Sequence, residues 1–345
     1  MKKRVVIVGG GFAGSKIAKK LENSFDVTLI DNKDYFEFTP SVLRTIVEPQ
    51  HAKKIQILHK NYLNKAVIVK GDIIGVTKKE VITPKHTVSY DYLVICTGSD
   101  YNSPIKEKDM VIAARAKELV SYANKLKKAK SVLIIGGGLV GVELAAEIIE
   151  KYPDKKITII HGSKELIERN PEKARNYAYN FFKERDVNII FNELVKGKTN
   201  KTFKTNKGKK ITADLVFSCI GIKPNSECLK GSCSKSLDKK SCLCVNKYLQ
   251  VKDLQNVFAA GDITNIEEEK LAQNAEKHAE IVVNNIIALE NSKELTEYKP
   301  KPRIMVISLG KKNGILVYKN FVITGIVPGI LKGFIEWWEM GKYKI

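Results

Sequence analysis

The sequence of 345 residues lacks an apolar run long enough to cross a membrane. Its longest apolar stretch, from Val317 to Leu331, is interrupted by Lys319, Asn320, Pro328 and two glycines. Residues 2–4 are basic and run directly into a short apolar segment that glycines follow. We find neither an export signal nor an N-myristoylation pattern. We therefore expect an intracellular protein.

Acidic residues are too few to balance the basic ones. The chain has 59 Lys+Arg against 38 Asp+Glu, which gives a formal net charge of +21. This charge attracts anionic surfaces such as nucleic acid, acidic lipid or phosphorylated cofactors. Because the lysines are spread along the whole chain without a nucleic-acid-binding motif, we predict a solvated basic surface and no dedicated nucleic-acid site.

A glycine-rich turn follows the first apolar segment. Residues 4–8 predict a buried strand, after which Gly9-x-Gly11-x-x-Gly14 leads into a predicted helix from Ser15 to about Asn23. In such a turn the backbone approaches a pyrophosphate, and N–H groups at the helix start hold the phosphates. The next predicted strand ends in Asp31, where an acid accepts hydrogen bonds from a ribose diol. The motif predicts a dinucleotide site, with a plain turn as the alternative.

The same motif occurs a second time. A predicted strand at residues 131–135 precedes Gly136-x-Gly138-x-x-Gly141, a predicted helix from Val142 to Lys151 and another strand. That strand ends in His161 instead of an acid. An acid there would repel a 2′-phosphate, so His161 predicts a site that tolerates NADPH as well as NADH. The alternative is that His161 only caps the strand.

Two further segments complete a pattern that resembles the two-dinucleotide flavoprotein superfamily of pyridine nucleotide oxidoreductases. They are residues 91–99, which resemble the turn that closes the flavin domain, and residues 256–262, which resemble a second flavin fingerprint. Within the superfamily, the sequence is most similar to type II NADH:quinone oxidoreductases and to the ferroptosis-suppressor, apoptosis-inducing-factor-like branch. The segments that carry this similarity are 138–147, 249–251, 271–279, 298–300 and 308–314.

The resemblance implies two sets of cofactor-binding residues. Those for FAD are Gly9, Gly10, Gly11, Phe12, Ala13, Gly14, Asp31, Arg44, Ile73 through its backbone, Thr97, Gly98 and Asp262, which would bind the ribityl chain. Those for NAD(P)H are Gly136, Gly138, Gly141 and His161. FAD is thus the expected cofactor, and NADH or NADPH the expected substrate.

The resemblance also implies residues at the reacting centre. Glu143 would face the nicotinamide and the flavin, and an acid in the first turn of a helix is itself favoured near a ligand by the helix dipole. Ordinary exposed helix acids are the alternative for Glu143 and for Glu147. Lys332 would lie near the flavin or quinone, where we hypothesise that it polarises a carbonyl group, and Gln273 would line the entry of the acceptor.

The flavin region lacks the cysteines that related enzymes use. Disulfide reductases of the superfamily carry a redox-active pair after the first ribose acid, yet residues 38–48 contain none, nor the single cysteine of peroxide- or coenzyme-A-disulfide-reducing relatives. Sulfide:quinone oxidoreductases use cysteines near His161 and near the C-terminus, and none follows Cys244 here. A thiol-free site leaves a quinone, dioxygen or a one-electron carrier as the electron acceptor.

Four cysteines crowd into a short segment elsewhere. Cys228, Cys233, Cys242 and Cys244 match no common zinc spacing well, although they would suffice for a zinc site or for two disulfides. Free thiols are the third alternative. We expect a structural role and no catalytic metal.

The C-terminal segment predicts an amphipathic helix from Gly329 onwards. Ile330, Leu331, Phe334, Ile335 and Trp338 fall on one face, with Lys332, Glu336 and Glu339 off it. Paired tryptophans and the basic charge favour contact with an anionic membrane interface. Packing of this face on the protein core or on a second subunit is the alternative.

We therefore predict an α/β fold with two Rossmann-like domains and a short C-terminal α+β tail. The FAD domain comprises residues 1–113 and 245–300, the NAD(P)H domain (114–244) is inserted into it, and the tail covers 301–345. The predicted activity is ping-pong hydride transfer from NAD(P)H through FAD to a quinone, in the cytoplasm or peripherally on the inner face of the membrane. The alternatives are a soluble reductase for rubredoxin, ferredoxin or oxygen, and a redox-sensing, apoptosis-inducing-factor-like binding protein.

Overall fold

A computed structural model of the protein describes residues 1–101, 110–112, 116–229 and 234–344. In chain order, the strands are β1 (Arg4–Val8), β2 (Asp26–Asp31), β3 (Tyr35–Glu37), β4 (Gln56–Leu58), β5 (Val67–Lys70), β6 (Gly75–Val76), β7 (Glu80–Ile82), β8 (Thr87–Ser89), β9 (Tyr92–Ile95), β10 (Ser99–Tyr101), β11 (Met110–Ile112), β12 (Ser131–Ile135), β13 (Lys156–Ile160), β14 (Asn188–Ile190), β15 (Val195–Thr199), β16 (Thr202–Thr205), β17 (Lys210–Thr212), β18 (Leu215–Ser218), β19 (Ile222–Pro224), β20 (Val257–Ala259), β21 (Ile304–Leu309), β22 (Asn313–Tyr318) and β23 (Phe321–Gly325).

The α-helices are α1 (Phe12–Leu21), α2 (Ala52–Ile55), α3 (Ala116–Lys128), α4 (Leu139–Lys151), α5 (Glu172–Lys183), α6 (Ala272–Glu290) and α7 (Ile326–Gly341). Short 3-10 helices span Thr39–Ile46, Pro49–His51, His59–Asn61, Glu227–Leu229 and Ser234–Ser236.

Two parallel five-stranded sheets form the centre of the molecule. The first has the strand order β20-β9-β1-β2-β5, and the second has the order β11-β18-β12-β13-β14. Strands β1 and β12 are almost entirely buried, as expected for central parallel strands with both faces covered. All strands of the second sheet lie between β9 and β20 in the chain. The predicted α/β fold with two Rossmann-like sheets is confirmed, and the exact domain boundaries stay a prediction.

Antiparallel elements complete the fold. Strands β10 and β19 pair with each other and so join the segment after β9 to the segment after β18. Three-stranded meanders are formed by β6-β7-β8, by β15-β16-β17 and by β21-β22-β23. Helix α7 follows the last meander directly, so the predicted α+β tail is a meander with one helix against it.

Three helices begin three residues earlier than we predicted from the sequence, at Phe12, Leu139 and Ile326. In α1 and α4 the third glycine of the motif lies inside the first helical turn, where a Cβ on Gly14 or Gly141 would stand 1.8 Å from a carbonyl oxygen of the turn. In α7 the third residue is Pro328, which the first turn of a helix tolerates because no backbone N–H is needed there.

Helix α7 turns its polar side towards the protein and its apolar side outwards. The side chains of Lys332 and Glu336 are only 13% and 14% exposed. The outward residues are Ile326, Val327, Ile330, Phe334, Trp337 and Trp338. Of the predicted apolar face, Ile330, Phe334 and Trp338 are exposed, and Leu331 and Ile335 are half-buried. Ile335 packs against the core, but the alternative that the face as a whole does so is wrong for the exposed Ile330, Phe334 and Trp338.

None of the described helices combines the length and the apolar character that a membrane span requires.

Candidate active site

The first glycine turn has two positions that the chain itself requires to be glycine. Gly9 has a φ of +98°, and a Cβ on it would lie 2.2 Å from the carbonyl oxygen of Cys96. Gly14 packs against the carbonyl oxygen of Gly9. A Cβ on Gly11, in contrast, would meet no atom within 4 Å. Gly11 thus faces open space at the start of α1, which fits a phosphate held by helix N–H groups.

The second turn repeats this geometry. Gly136 has a φ of +111°, and a Cβ on Gly141 would stand 1.8 Å from the carbonyl oxygen of Gly136. A Cβ on Gly138 would again meet nothing within 4 Å. Both turns therefore leave the same opening at the start of a helix, and both fit a pyrophosphate.

Asp31 and His161 occupy equivalent places at the ends of β2 and β13. The N–H of Gly10 donates a hydrogen bond of 2.6 Å to Asp31 Oδ2, and the N–H of Gly137 donates one of 3.1 Å to His161 Nδ1. Since Nδ1 accepts, the neutral imidazole carries its proton on Nε2, a buried atom with no partner among the described residues. The second turn is therefore bound by a neutral imidazole where the first is bound by a carboxylate.

The charges of these two groups also differ. Burial opposes ionisation of Asp31, but the interaction with the imidazole of His59, 3.7 Å away, and the charge of Lys33 outweigh it and lower the pKa of this carboxyl to about 2. Burial lowers the pKa of His161, although Glu168 opposes this effect. At neutral pH the first site is thus anionic and the second uncharged at this position.

The predicted FAD residues near β9 and β20 lie on adjacent loops. Gly98 has a φ of +67°, and both Thr97 and Gly98 accept a 3.0 Å hydrogen bond at the carbonyl oxygen from Asn225, which follows β19. Asp262 accepts a 2.7 Å hydrogen bond from Ser99. Neither Asn225 nor Ser99 was predicted from the sequence to be a site residue.

The side chains of other predicted FAD residues pack against the protein itself. Phe12 packs edge-to-face against Phe36 and Phe38, and Ala13 is buried near Gly261. Ile73 packs against the core cluster beside the first sheet. For these residues the backbone is the part that remains for a cofactor, in line with the backbone contact expected at Ile73.

A cleft brings together three separate parts of the chain. They are the 3-10 helix that contains Arg44, the middle of α4, and the C-terminal segment with β21 and α7. The cleft is lined by Pro40, Ser41, Leu43, Arg44, Glu143, Glu147, Ser308, Lys332, Gly333 and Glu336. The predicted catalytic residues Glu143 and Lys332 thus lie in one site, although they are remote in sequence.

Glu143 and Lys332 are in direct contact in this cleft. Glu143 Oε1 accepts hydrogen bonds from the backbone N–H of Ser308 (2.8 Å) and from its hydroxyl (3.3 Å), and the ammonium group of Lys332 contacts the same oxygen. Lys332 Nζ also donates to Ser308 Oγ at 3.2 Å. Both charged side chains are 13% exposed, so the alternative of an ordinary exposed acid is wrong for Glu143.

Arg44 binds Glu147, one helical turn after Glu143. Two guanidinium nitrogens donate to the same carboxylate oxygen, at 2.9 and 3.2 Å, and Glu147 is buried. Burial alone would lower the pKa of Arg44, but the Glu147 carboxylate outweighs it and raises this pKa. Glu147 is therefore not an exposed acid either, and the contact of Arg44 with FAD stays a prediction.

Glu336, at the same cleft, binds His51 at 3.0 Å. Its burial favours the neutral acid, but hydrogen bonds with His51 and Ser41 prevail and lower the pKa of Glu336. The pairs Glu336–His51 and Lys332–Glu143 bind the polar side of helix α7 to the body of the protein.

Gln273 does not line the cleft. It lies in the first turn of α6, and its side-chain amide donates a 2.7 Å hydrogen bond to the carbonyl oxygen of Ile304. Its role at the acceptor entry stays a prediction.

The cysteines fall into two groups. Cys242 and Cys244 are free thiols, so the alternative of two disulfides in this segment is wrong. Cys233 lies outside the described residues.

Among the residues that the structure describes, no three His, Cys, Asp or Glu side chains are arranged to hold a metal ion. Cys96 precedes Thr97, but burial raises the pKa of its thiol well above the ordinary value, as it raises that of Cys219 to about 12. Buried thiols of this kind are unreactive.

Comparison with known proteins shows the family of this chain. The model of the pyridine nucleotide-disulphide oxidoreductase family matches residues 3–279. Apoptosis-inducing factor homolog A of Dictyostelium discoideum is 36% identical over 96% of this chain and 89% of its own length. Ferroptosis suppressor protein 1 of Xenopus tropicalis is 32% identical over 98% of this chain and 96% of its own. These relatives confirm the resemblance to the ferroptosis-suppressor, apoptosis-inducing-factor-like branch.

Solved structures share the fold as well. The sulfide:quinone oxidoreductase of Aquifex aeolicus superposes with a TM-score of 0.89 at 19% identity, over 99% of this chain and 91% of that one.

Proposed function

Because the chain belongs to the pyridine nucleotide-disulphide oxidoreductase family, whose members bind FAD and use NAD(P)H, we propose that it passes two electrons from NAD(P)H to a quinone in a ping-pong sequence. FAD lies at the turn of Gly9 to Gly14, and NAD(P)H lies at the turn of Gly136 to Gly141. The quinone approaches the cleft that holds Glu143 and Lys332.

The observation that carries the choice of a quinone is the orientation of helix α7. The same helix directs Lys332 into a polar cleft and presents Ile330, Phe334 and Trp337 to the outside, where they are 65%, 53% and 67% exposed. A quinone combines polar carbonyl groups with an apolar body. The ammonium group of Lys332 suits the carbonyl, and the apolar surface beside it suits the rest of the molecule.

Five residues of the cleft have a definite task in this proposal. FAD, when bound, supplies the two-electron chemistry that joins a hydride donor to a quinone. The ammonium group of Lys332 donates a hydrogen bond to a carbonyl oxygen on which negative charge develops during reduction. Glu143 and Ser308 hold that ammonium group in place through their contacts with Lys332 and with each other. The ion pair between Arg44 and Glu147 joins the two elements that form the neighbouring wall of the cleft, the 3-10 helix and α4.

The chemistry of the thiols supports direct transfer to a small acceptor. Residues 38–48 contain no cysteine, and the thiol of Cys96 is buried beside the first turn with a raised pKa. A protein disulfide is therefore not needed between NAD(P)H and the acceptor. The sulfide:quinone oxidoreductase of Aquifex aeolicus, by its name, pairs this fold with a quinone, and its sulfide donor distinguishes it from the present chain.

We further propose that the apolar face of α7 rests on an anionic lipid surface on the inner face of the membrane. The outward side chains include two tryptophans and a phenylalanine, which suit the headgroup region of a bilayer. The net charge of +21 favours acidic lipids over neutral ones. Quinones reside in the bilayer, so this contact would place the cleft beside its substrate.

Steady-state kinetics with different acceptors test the proposal. We expect a short-chain quinone to support much faster NAD(P)H oxidation than rubredoxin, ferredoxin or oxygen, and anionic vesicles to increase the rate with a long-chain quinone. Faster turnover with a protein carrier or with oxygen would favour the soluble-reductase alternative. Very slow turnover with every acceptor, together with DNA affinity that falls steeply with salt, would favour the redox-sensing binding protein.

A further inference from the structure

A histidine that our sequence analysis did not single out lies against the first glycine turn. His59 begins the 3-10 helix His59–Asn61 and is completely buried. Its ring packs on Gly10, where a Cβ would stand 2.5 Å from Cε1 and 2.6 Å from Nε2 of the imidazole. Gly10 therefore has to be glycine because of His59 and Asp31, in addition to any need for a ligand.

A chain of hydrogen bonds fixes the position of one proton on His59. Ser15 Oγ lies 2.7 Å from the carbonyl oxygen of Gly10, which can only accept, so Ser15 donates its proton there. Tyr62 Oη lies 2.8 Å from Ser15 Oγ and must donate to it. The hydroxyl of Tyr62 has no second proton, so the 2.6 Å contact with His59 Nδ1 requires a proton on Nδ1.

The other ring nitrogen faces a carboxylate. His59 Nε2 lies 3.7 Å from Asp31 Oδ2 and has no hydrogen-bond partner among the described residues. Asp31 Oδ2 also accepts the 2.6 Å hydrogen bond from the N–H of Gly10. A bare Nε2 would direct a lone pair towards this anion in a buried site, which is unfavourable. A proton on Nε2 turns the same contact into an ion pair.

We propose that His59 carries both ring protons and is a positioning residue for the adenosine end of FAD. As an imidazolium it keeps Asp31 ionised and directs the carboxylate towards Gly10 and towards the ribose hydroxyls. The chain through Tyr62 and Ser15 fixes the imidazolium relative to the start of α1. This inference rests on the proposed binding of FAD at the first turn.

The carboxylates near His59 support this state. Asp31 and Asp34 both favour a positive ring, whereas the ammonium group of Lys33, which contacts Asp31, opposes it. The backbone N–H of His59 donates to the carbonyl oxygen of Asp34. The phenol of Tyr62 has a pKa raised by burial and stays neutral, and Tyr343 from the C-terminal segment packs edge-to-face on the Tyr62 ring. Glu22, directly after α1, also raises the pKa of Tyr62.

The first test is the pH dependence of FAD binding. FAD would be added to the FAD-free full-length protein from about pH 6 to about pH 9, for the wild type, His59→Gln and the control His86→Gln, whose histidine is exposed. We expect the affinity of the wild type and of the control to fall as the pH rises and His59 loses its second proton. His59→Gln should bind FAD roughly tenfold more weakly at low pH and show no such slope. Equal affinity and equal slope in all three proteins would overturn the inference.

A second measurement does not depend on how well the variant folds. In the NMR spectrum of the wild type labelled with ¹⁵N-histidine, each imidazole nitrogen reports directly whether it carries a proton. The signal of His59 is the one that is absent from the spectrum of His59→Gln. Tyr62→Phe, which removes the partner of Nδ1, should shift the same signal. We expect protons on both nitrogens of His59, and a bare Nε2 would overturn the inference. A wild type that binds no FAD would instead overturn the proposed function, and the two failures are thereby distinguished.

Discussion

The ammonium group of Lys332 contacts the carboxylate of Glu143, although 189 residues separate them in the chain. The contact joins the C-terminal helix to the helix that follows the second glycine turn. Ser308 binds both groups, so the three residues form one buried polar cluster. Since a buried charge is stable only when it is paired, this cluster fixes the orientation of helix α7 as well as the chemistry of the cleft.

Replacing Lys332 tests the chemistry. In Lys332→Ala we expect quinone turnover to fall by roughly 100-fold, because the donor to the developing charge is lost. NAD(P)H binding and FAD content should change much less. Rapid-reaction traces that separate the reduction of the protein from its reoxidation by quinone would measure this.

Lys312→Ala is the matched control, because this lysine is exposed. It should retain the wild-type rate. Unchanged quinone turnover in Lys332→Ala would rule out the proposed role of this side chain.

The two glycine turns should be separable by substitution at their open positions. The Cβ of Gly11→Val or of Gly138→Val would meet no protein atom within 4 Å, so we expect both variants to fold. The first should yield a folded but colourless protein, and the second a yellow protein that NAD(P)H reduces poorly.

Each variant serves as the control of the other, with visible absorbance and circular dichroism as the measurements. Full FAD content in Gly11→Val, or normal reduction of Gly138→Val by NAD(P)H, would contradict the assignment of that turn.

Asp31 should couple folding stability to pH in the acid range. Its pKa is about 2 in the folded protein against an ordinary value of 3.8, so its ionised form contributes stability above about pH 4 that is lost as the pH falls towards 2. We expect the free energy of unfolding of the FAD-free wild type to fall by about 2 kcal/mol more over this window than that of Asp31→Asn. Denaturant titrations at a series of pH values would measure it.

The exposed Asp26, at the start of the same strand, provides the control. Asp26→Asn should follow the wild type. A decline in Asp31→Asn as steep as that of the wild type would show that this carboxyl is not the source.

The apolar face of α7 should govern lipid binding. In Phe334→Ser combined with Trp338→Ser we expect binding to anionic vesicles to be lost in a flotation experiment, with little effect on the unfolding temperature because both residues are exposed. Neutral vesicles should bind the wild type more weakly. Undiminished vesicle binding by the double variant would contradict the membrane proposal. If the wild type is a dimer and the double variant is a monomer, a second subunit covers this face instead.

The fold and the two turns could be predicted because their signals are local. The spacing of Gly9, Gly11 and Gly14 predicts a turn with close backbone approach, and the structure shows close contacts at Gly9 and Gly14 and an open position at Gly11. The periodicity of α7 likewise located an apolar face. It did not show which way the face points, because that depends on contacts of Lys332 and Glu336 with residues far away in sequence.

The site residues that were not predicted from the sequence also depend on contacts between distant parts of the chain. Ser99 binds Asp262 across 163 residues, and Tyr62 binds Ser15 across 47. A serine, a tyrosine or a histidine outside a motif gives no signal of such a partner. Asn225 directly follows Pro224 at the end of β19, and this neighbour is a local indication of a turn.

The most direct test of the account is stopped-flow reduction of the purified protein by NADH and by NADPH, followed by mixing with a quinone. The account predicts a yellow protein that either nucleotide bleaches, followed by rapid recovery of the yellow colour when quinone is added without oxygen. A protein that binds no flavin even after reconstitution, or one whose reduced form quinone does not reoxidise, would contradict it.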